Sequence, residues 1–273
     1  MTVGPPAGTD LYEGGAYAPP HPRVDRLLEP LRRAALATHV RALRLPTGAT
    51  VLEIGAGDGR LLEALARRGH AVAGIEPSSA ARRARARGLD VREAALEDVD
   101  LPPGSVDAVV LWHVLEHLSD PGAALAAVVP ALRPGGRVVV AVPNLDGLQA
   151  RLGRDRWFHQ DVPRHATHFT ARGVERLLAR RGLIPVRRRA LVLDQDLLGM
   201  AQTLLNLATR ERDVGFRMLK GARPSRRDAV ATALLLPAAT IAALVAEPVA
   251  AATGAGGTLV VEGLTGSVDR VSH

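Results

Sequence analysis

The feature that most constrains the fold is an apolar strand that runs into a glycine-rich turn, Val51–Gly59, with the sequence VLEIGAGDG. Glycine is needed in such a turn because the backbone bends tightly and a ligand must approach it closely. Short apolar strands at residues 50–54 and 71–75 alternate here with helical patterns at 60–68 and 78–87. This alternation predicts an α/β fold with a parallel, doubly wound sheet and helices on both faces.

The alternation continues through the chain. Further strands are predicted at residues 89–92, 106–111, 137–142, 184–193 and 257–263, which makes seven, and further helices at 23–44, 121–132, 170–181, 195–220 and 229–246. The predicted domains are an N-terminal tail and helical lid (1–45), a Rossmann-like core (46–193), a helical insertion or cap (194–254), and a final edge strand with its tail (255–273).

The glycine turn is acidic, which makes it a poor site for phosphate. The dinucleotide fingerprint is G-x-G-x-x-G and aims a helix N-terminus at a pyrophosphate. Here Gly55, Gly57 and Gly59 follow the spacing G-x-G-x-G. Two acids accompany them: Glu53 precedes the first glycine, and Asp58 lies between the last two. Carboxylates favour a ligand that carries a sulfonium and an ammonium. The spacing therefore disfavours an NAD-dependent oxidoreductase.

A further acid, Glu76, ends the second predicted strand, 23 residues after Glu53. In a doubly wound sheet this position faces the ribose of a bound nucleoside, where a carboxylate accepts from both hydroxyls. One glycine turn alone is often only a tight connection. The turn, the acid and the alternation together favour a ligand-binding site.

At these residues the sequence resembles the class I S-adenosylmethionine-dependent methyltransferases. VLEIGAGDGR matches their first motif, IEPS the second, DLPPGSVDAVVLWHVLEHLSDP the stretch around the fourth strand, and LRPGGRVVVAVPN the fifth strand. The resemblance covers residues 46–144 and implies a seven-stranded Rossmann-like methyltransferase sheet and S-adenosyl-L-methionine as cofactor. It implies cofactor contacts by Glu53, Gly55, Gly57, Gly59, Glu76, Leu96, Trp112 and His113.

One position departs from the family pattern. Many members have an aspartate after the third strand that accepts from the adenine amino group, and the alignment places Ala95 there. Either Glu97 or Asp98 replaces it, or only the backbone near Leu96 contacts the ring.

The run WFHQDVPRHATHFT, residues 157–170, is similar to a segment of one large bacterial subfamily, some of whose relatives methylate quinone or natural-product hydroxyls. Loops at this edge of a sheet normally build the acceptor pocket. The predicted acceptor contacts are Trp157, Phe158, Arg164 and Phe169.

A hydroxyl acceptor must also lose its proton to a histidine or carboxylate within hydrogen-bond reach. The predicted general base is His165 or His168, with Asp161 and His113 as further catalytic candidates. The alternative is a structural clamp, in which His165 and His168 bond the neighbouring backbone.

No metal site is expected. The chain has no cysteine, which excludes a disulfide framework, thiolate ligands and a cysteine nucleophile. His113 and His117 lie in HVLEH, in which the glutamate is misplaced for the zinc motif HExxH.

The net charge of +7 is unevenly distributed. Residues 148–227 carry 18 basic and 7 acidic residues, whereas residues 46–147 carry 10 basic and 13 acidic. This distribution predicts an acidic acceptor, or an anionic surface that presents it, on the C-terminal half.

Residues 229–246 form an apolar stretch without charges, interrupted by Pro237 and preceded by basic residues from Arg217 to Arg227. The favoured interpretation is a buried helix that caps the acceptor site. The alternatives are peripheral membrane contact through residues 217–246 and a membrane span.

The N-terminus lacks the charged and apolar regions of a secretory signal, so we expect a cytoplasmic protein. The expected function is methyl transfer through oxygen to a small or amphipathic acceptor, acidic or lipophilic. The alternatives are a non-catalytic S-adenosylmethionine-binding module and a nucleic-acid methyltransferase. The latter is disfavoured because LWHV and VPNL lack the asparagine-proline-proline-aromatic tetrad.

Overall fold

The computed structural model of the protein describes residues 36–191 and 194–266. The strands are β1 (Thr50–Ile54), β2 (Ala71–Ile75), β3 (Val91–Arg92), β4 (Val106–Trp112), β5 (Leu132–Pro143), β6 (Leu183–Leu191) and β7 (Thr258–Thr265). The helices are α1 (residues 36–43), α2 (Arg60–Ala66), α3 (Ala80–Ala86), α4 (Pro121–Val128), α5 (Leu148–Gly153), α6 (Ala171–Ala179), α7 (Asp194–Ala208), α8 (Val214–Leu219) and α9 (Arg226–Ala252). The predicted tail, and the predicted helix before residue 36, lie outside the described residues.

The seven strands form one sheet in the order β3-β2-β1-β4-β5-β7-β6, which confirms the predicted doubly wound architecture. β1 pairs in parallel with β2 on one side and with β4 on the other, so that Ile54 lies opposite both Ile75 and Leu111. The strand order reverses at β1 and β4. Ligands of open α/β sheets bind outside the carboxyl ends of the strands at this point.

The last strand is not at the edge, so that prediction is wrong. β7 lies between β5 and β6, and β6 is the edge strand. The first six residues of β7 are buried, and its centre is the apolar run Leu259–Val261. An uninterrupted apolar run is typical of a strand that is covered on both faces.

The described chain forms two compact units. The sheet unit contains residues 36–142, 171–188 and 260–266, and the insertion unit contains residues 143–170 and 189–259, apart from 192–193. The predicted division differs, because residues 148–170 were assigned to the core but belong with the helical insertion.

The insertion itself is confirmed, since α7, α8 and α9 all lie between β6 and β7. The predicted single helix at 195–220 is instead α7 followed by α8. The chain turns between them because the buried Asp228 carboxylate accepts from the backbone N–H groups of Arg210 and Glu211 at 3.2 and 2.9 Å.

α9 packs on α7 with one face only. Ala239 and Ala243 lie in a cluster with Met200, Ala201 and Leu205. The inward-facing residues of α9 are small or polar, namely Asp228, Thr232, Ala239, Ala243, Glu247 and Ala250. Eight large apolar side chains of α9 are exposed, so the expectation of a buried helix is wrong for that face.

Candidate functional site

The three glycines of the turn after β1 all have positive φ, at 72°, 54° and 79° for Gly55, Gly57 and Gly59. A Cβ at Gly55 would lie 2.4 Å from Val114 Cγ2, and one at Gly59 would lie 2.4 Å from Leu89 Cδ1. These two glycines therefore allow the turn to pack against its neighbours. Nothing lies within 4 Å of a Cβ built at Gly57, so Gly57 adjoins open space. The turn can thus be approached by a ligand.

Glu76 joins the end of β2 to this turn. One carboxylate oxygen accepts from the backbone N–H of Gly57 at 2.8 Å. The other accepts from the backbone N–H and the hydroxyl of Ser78, at 2.9 and 2.5 Å. These bonds hold a buried carboxylate beside the glycine turn, and its contact with ribose hydroxyls stays a prediction.

Glu53 places a second buried carboxyl group behind the turn. Its side chain accepts from the backbone N–H of Leu62, and its Oε2 has no hydrogen-bond partner. Burial raises the pKa of Glu53 well above its ordinary value, and the nearby carboxylates of Glu76 and Asp58 raise it further. A cation bound beside this carboxyl would stabilise its ionised form.

Asp58, the third acid of the turn, is paired with two arginines. Its carboxylate pairs with Arg60 at 2.9 Å and with Arg87 at 3.5 Å. The positive charges of Arg60 and Arg87 balance the negative charge of the Asp58 carboxylate. Glu53 and Glu76 are therefore the acids of the turn that can interact with a cationic ligand.

We expect S-adenosylmethionine binding to release ~1 proton from Glu53 at pH values between the ordinary carboxyl pKa and the raised one. Since the pKa of Glu53 is raised in the folded protein, the free carboxyl is protonated in this window, and the cationic ligand favours ionisation. Affinity should therefore rise with pH through the window. Calorimetric titrations in buffers of different ionisation enthalpy measure the released proton.

The Glu53→Gln variant is the control for this titration and should release no proton. Equal proton release by the variant would show that another group titrates. For the ligand-free protein, the free energy of unfolding changes with pH in the opposite direction from the affinity. The stability that the protonated Glu53 carboxyl contributes is lost as the pH rises from the unfolded-state pKa through the raised folded-state pKa.

The end of β4 carries Trp112 and His113, both predicted to contact the cofactor. His113 has φ 54°, a backbone conformation that is uncommon for a residue with a side chain. Its Nδ1 lies 3.1 Å from Oε1 of Glu116, and Glu116 is 1% exposed. A buried carboxylate at this distance orients the imidazole and favours a proton on Nδ1, which leaves Nε2 as the basic nitrogen.

His39 on α1 completes this region and was not predicted. Its ring stacks on Trp112 with centroids 4.9 Å apart, and its buried Nε2 has no hydrogen-bond partner. Burial, with a contribution from His113, lowers the pKa of His39 to about 4, so it is neutral near pH 7. The sequence predicts a helix at this position. It gave no signal for His39, because a single histidine on a helix is not part of a recognisable motif.

The segment after β3 has Ala95 at the position where the sequence comparison expects an aspartate for the adenine ring. Leu96–Asp98 form a short 3-10 turn, in which Glu97 and Asp98 are exposed and Leu96 is half-buried. Recognition of the ring by backbone near Leu96, or by either acid, stays a prediction.

In the insertion unit, the histidines of the loop after β5 bond to backbone carbonyl groups. Nδ1 of His165 lies 2.7 Å from the carbonyl oxygen of His159, and Nε2 of His168 lies 3.0 Å from that of Gln160. These bonds are the ones expected of a structural clamp. They also fix the tautomer of each ring and leave the other nitrogen basic.

The aromatic residues of the loop differ in burial. Trp157 is 2% exposed, with its ring centroid 5.8 Å from those of His159 and His168, and Phe169 is also buried. Phe158 is half-buried, 5.3 Å from the ring of Phe216 on α8. Trp157 and Phe169 thus form the core of the loop, whereas Phe158 lies nearer its surface.

Asp161 and Arg164 contact each other. Oδ1 of Asp161 accepts from Nη2 of Arg164 at 2.5 Å and from Nε at 3.1 Å, and both side chains are half-buried. This pair leaves Asp161 less available as a base than the sequence predicts.

The loop is fastened to a buried polar face of α7 that was not predicted. Thr203 accepts from the backbone N–H of Phe158 at 3.1 Å, and Asn206 donates to the carbonyl of Arg156 at 3.1 Å. Arg156 in turn donates to the carbonyl groups of Asn206 and Thr209. The available signal was the row of polar residues Gln202, Thr203 and Asn206 in an otherwise apolar helix.

The residues of the turn fit S-adenosylmethionine. Open space at Gly57, an acceptor at Glu76 and a buried carboxyl at Glu53 suit a ligand with a ribose and two positive charges. Together with the strand order, they define the class I S-adenosylmethionine-dependent methyltransferase fold.

A family model described as a methyltransferase domain matches residues 25–187, more than half of the chain. The chain therefore belongs to the methyltransferase domain family, whose methyl donor is S-adenosylmethionine.

Two proteins of similar sequence are ubiquinone biosynthesis O-methyltransferases. The protein of Caulobacter vibrioides is 39% identical over 141 residues, which cover 48% of this chain and 56% of that protein. That of Xylella fastidiosa strain 9a5c is 40% identical over 110 residues, 37% of this chain and 45% of that protein. The chain thus spans about half the length of the curated relatives it matches.

Solved structures share the fold. A methyltransferase in complex with the Haloferax volcanii Trm112 activator has a TM-score of 0.59 at 20% identity, covering 94% of this chain and 97% of that one. The [4+2]-cyclase SpnF has a TM-score of 0.55 at 20% identity, covering 85% and 80%. Since one neighbour is a cyclase, the fold alone does not determine the reaction.

Proposed function

We propose that this protein transfers a methyl group from S-adenosylmethionine to a hydroxyl oxygen of a small acceptor. The observation that carries this proposal is the pair of buried carboxyl groups, Glu53 and Glu76, next to an open glycine turn. The two relatives, which match 48% and 37% of this chain, are named O-methyltransferases, and this supports oxygen as the methylated atom.

When bound, S-adenosylmethionine would supply an activated methyl group for transfer to the acceptor oxygen, with its neutral thioether as the leaving group. Glu76 would accept from the ribose hydroxyls, and Glu53 would stabilise the positive charge. Gly57 leaves the backbone accessible, and Gly55 and Gly59 allow the turn to pack against its neighbours. Leu96, Trp112 and His113 would contact the adenosine or methionine portion.

The chain must also remove the hydroxyl proton, because an oxygen that keeps it gains positive charge as the new bond forms. The geometry favours His113, whose ring is oriented by the buried Glu116. The acceptor proton would move to Nε2 of this ring as the oxygen–carbon bond forms. His165 and His168 are further candidates, and Asp161 is a weaker one because Arg164 holds it.

For the acceptor, we propose an acidic or lipophilic small molecule, contacted by Trp157, Phe158, Arg164 and Phe169, and no nucleic acid. Support comes from the net charge of +11 over residues 148–227 and from the resemblance of residues 157–170 to a bacterial subfamily, some of whose relatives methylate quinone or natural-product hydroxyls. We also propose a cytoplasmic location with peripheral membrane contact through residues 217–246.

The test is transfer of a radiolabelled methyl group from S-adenosylmethionine to a catechol with a long alkyl chain. We expect label in the organic phase, and none in transfer RNA or DNA. Tight S-adenosylmethionine binding with no label in the catechol or in any fraction of a cell extract would indicate a non-catalytic binding module. Label in nucleic acid would contradict the proposed acceptor class.

A further inference from the structure

The outward face of α9 is an apolar surface on a helix that is otherwise well packed. Its eight large apolar side chains are 41–75% exposed and are Val230, Leu234, Leu235, Leu236, Ile241, Leu244, Val245 and Val249. Most of them recur at intervals of three, four or seven residues, which places them on one side of the helix. A continuous apolar surface of this extent is typical of an interaction site.

The inward face of α9 has the opposite composition. It buries Ala239, Ala243 and Ala250 together with Thr232 and Glu247. In a soluble core helix the branched apolar residues face inward and the polar ones outward. Here the arrangement is inverted, so the solvent-facing side is the one suited to an apolar medium.

α9 is held by the insertion unit over most of its length. Near its start the Asp228 carboxylate accepts from the N–H groups of Arg210 and Glu211, and near its end Glu247 accepts from Gln149 at 2.7 Å. A transbilayer helix would carry this attached polar structure into the hydrocarbon. By length and composition α9 could cross a membrane, but its packing fits a helix lying along the membrane surface.

Basic residues stand at the start of the same face. Arg223, Arg226 and Arg227 are exposed, and Arg227 lies three and seven residues before Val230 and Leu234. Arginines in the first turn oppose the helix dipole, which favours acidic residues there, so helix stability does not account for them. Positive charge beside an apolar face complements a bilayer with anionic headgroups.

We propose that the outward face of α9 docks in the plane of an anionic lipid bilayer, with its apolar side chains in the acyl boundary and Arg223, Arg226 and Arg227 at the headgroups. The proposal rests on the membrane contact in the proposed function and names its surface, orientation and lipid charge. Such docking would give the enzyme access to an acceptor that is dissolved in the bilayer.

Co-sedimentation with vesicles tests this docking, using the full chain without cofactor or acceptor. The protein should sediment with phosphatidylcholine vesicles that contain about 30% phosphatidylglycerol, and binding should weaken with salt. A Leu234→Gln/Ile241→Gln variant should bind at least tenfold more weakly. An Arg226→Gln/Arg227→Gln variant should bind anionic vesicles no better than neutral ones.

The matched control is Ile184→Gln, which alters a side chain 57% exposed on β6 and should bind as the wild type does. The proposal is overturned if the wild type stays in the supernatant, or if the α9 variants bind unchanged. It is also overturned if lipid-free α9 variants lose a dimer seen for the wild type, or if cellular protein resists carbonate extraction. Because no methyl transfer is measured, failure of docking and failure of the proposed reaction are distinguishable.

Discussion

The His113→Ala variant is expected to lower kcat for methyl transfer by about 10²–10⁴-fold, the usual contribution of a positioned general base. Its effect on S-adenosylmethionine affinity should be much smaller. The reason is geometric: Nδ1 of His113 faces Oε1 of the buried Glu116 at 3.1 Å, so the ring is held in one orientation. Turnover of the alkyl catechol, with calorimetric S-adenosylmethionine binding, measures both quantities.

A Glu116→Gln variant tests the orienting role separately. It keeps the shape of the side chain but not its charge, so we expect a smaller fall in kcat and a shift of the acidic limb of the pH–rate profile to lower pH. The control is His70→Ala, which removes a half-buried histidine just before β2. His70 lies at the amino end of this strand, opposite the carboxyl end where the site is.

Full turnover by His113→Ala, combined with a large loss in His165→Ala or His168→Ala, would move the base to the loop after β5. Full turnover by all three folded variants would exclude His113, His165 and His168 as the base. The carbonyl bonds of His165 and His168 predict that their alanine variants lose thermal stability.

The Glu76→Ala variant is expected to weaken S-adenosylmethionine binding about 100-fold, which corresponds to ~2.7 kcal/mol. The carboxylate is the acceptor proposed for two ribose hydroxyls, and a bond to a charged acceptor is worth about 1.5–3 kcal/mol. It also anchors Gly57 through a 2.8 Å bond, so the turn loses support as well. Isothermal titration with S-adenosylmethionine and S-adenosylhomocysteine measures the loss.

The matched control is Glu93→Ala, which removes the same side chain from the exposed pairs with Arg82 and Arg85 just after β3. Surface pairs contribute little, so binding should stay within a factor of two or so of the wild type. Equal Kd values for Glu76→Ala and the wild type would remove Glu76 from the cofactor site.

The local sequence pattern was sufficient to predict the first two strands and the glycine turn. Residues 50–59 and 71–76 form two strands, a glycine turn and a terminal acid whose local geometry could be predicted from the sequence. The positive φ of a glycine and the position of a carboxylate at a strand end depend mainly on residues that are close in sequence. The bounds of β1 and β2 were predicted to the residue. The class of cofactor followed from the same residues.

Only the tertiary structure decided which charges are already paired and which faces are covered. It joined Asp58 to Arg87, stacked His39 on Trp112 and inserted β7 between β5 and β6. Each depends on residues far apart in the chain, and neither periodicity nor motif spacing specifies such pairs.

The apolar stretch at 229–246 shows the difference most clearly. Composition alone predicted that it is helical and apolar, and left a buried cap and a membrane contact as alternatives. α7 covers only the alanine, threonine and glutamate side of α9, and the branched side chains remain outside. Sequence determines the composition of a helix face, but the packing partner determines whether that face meets protein or solvent.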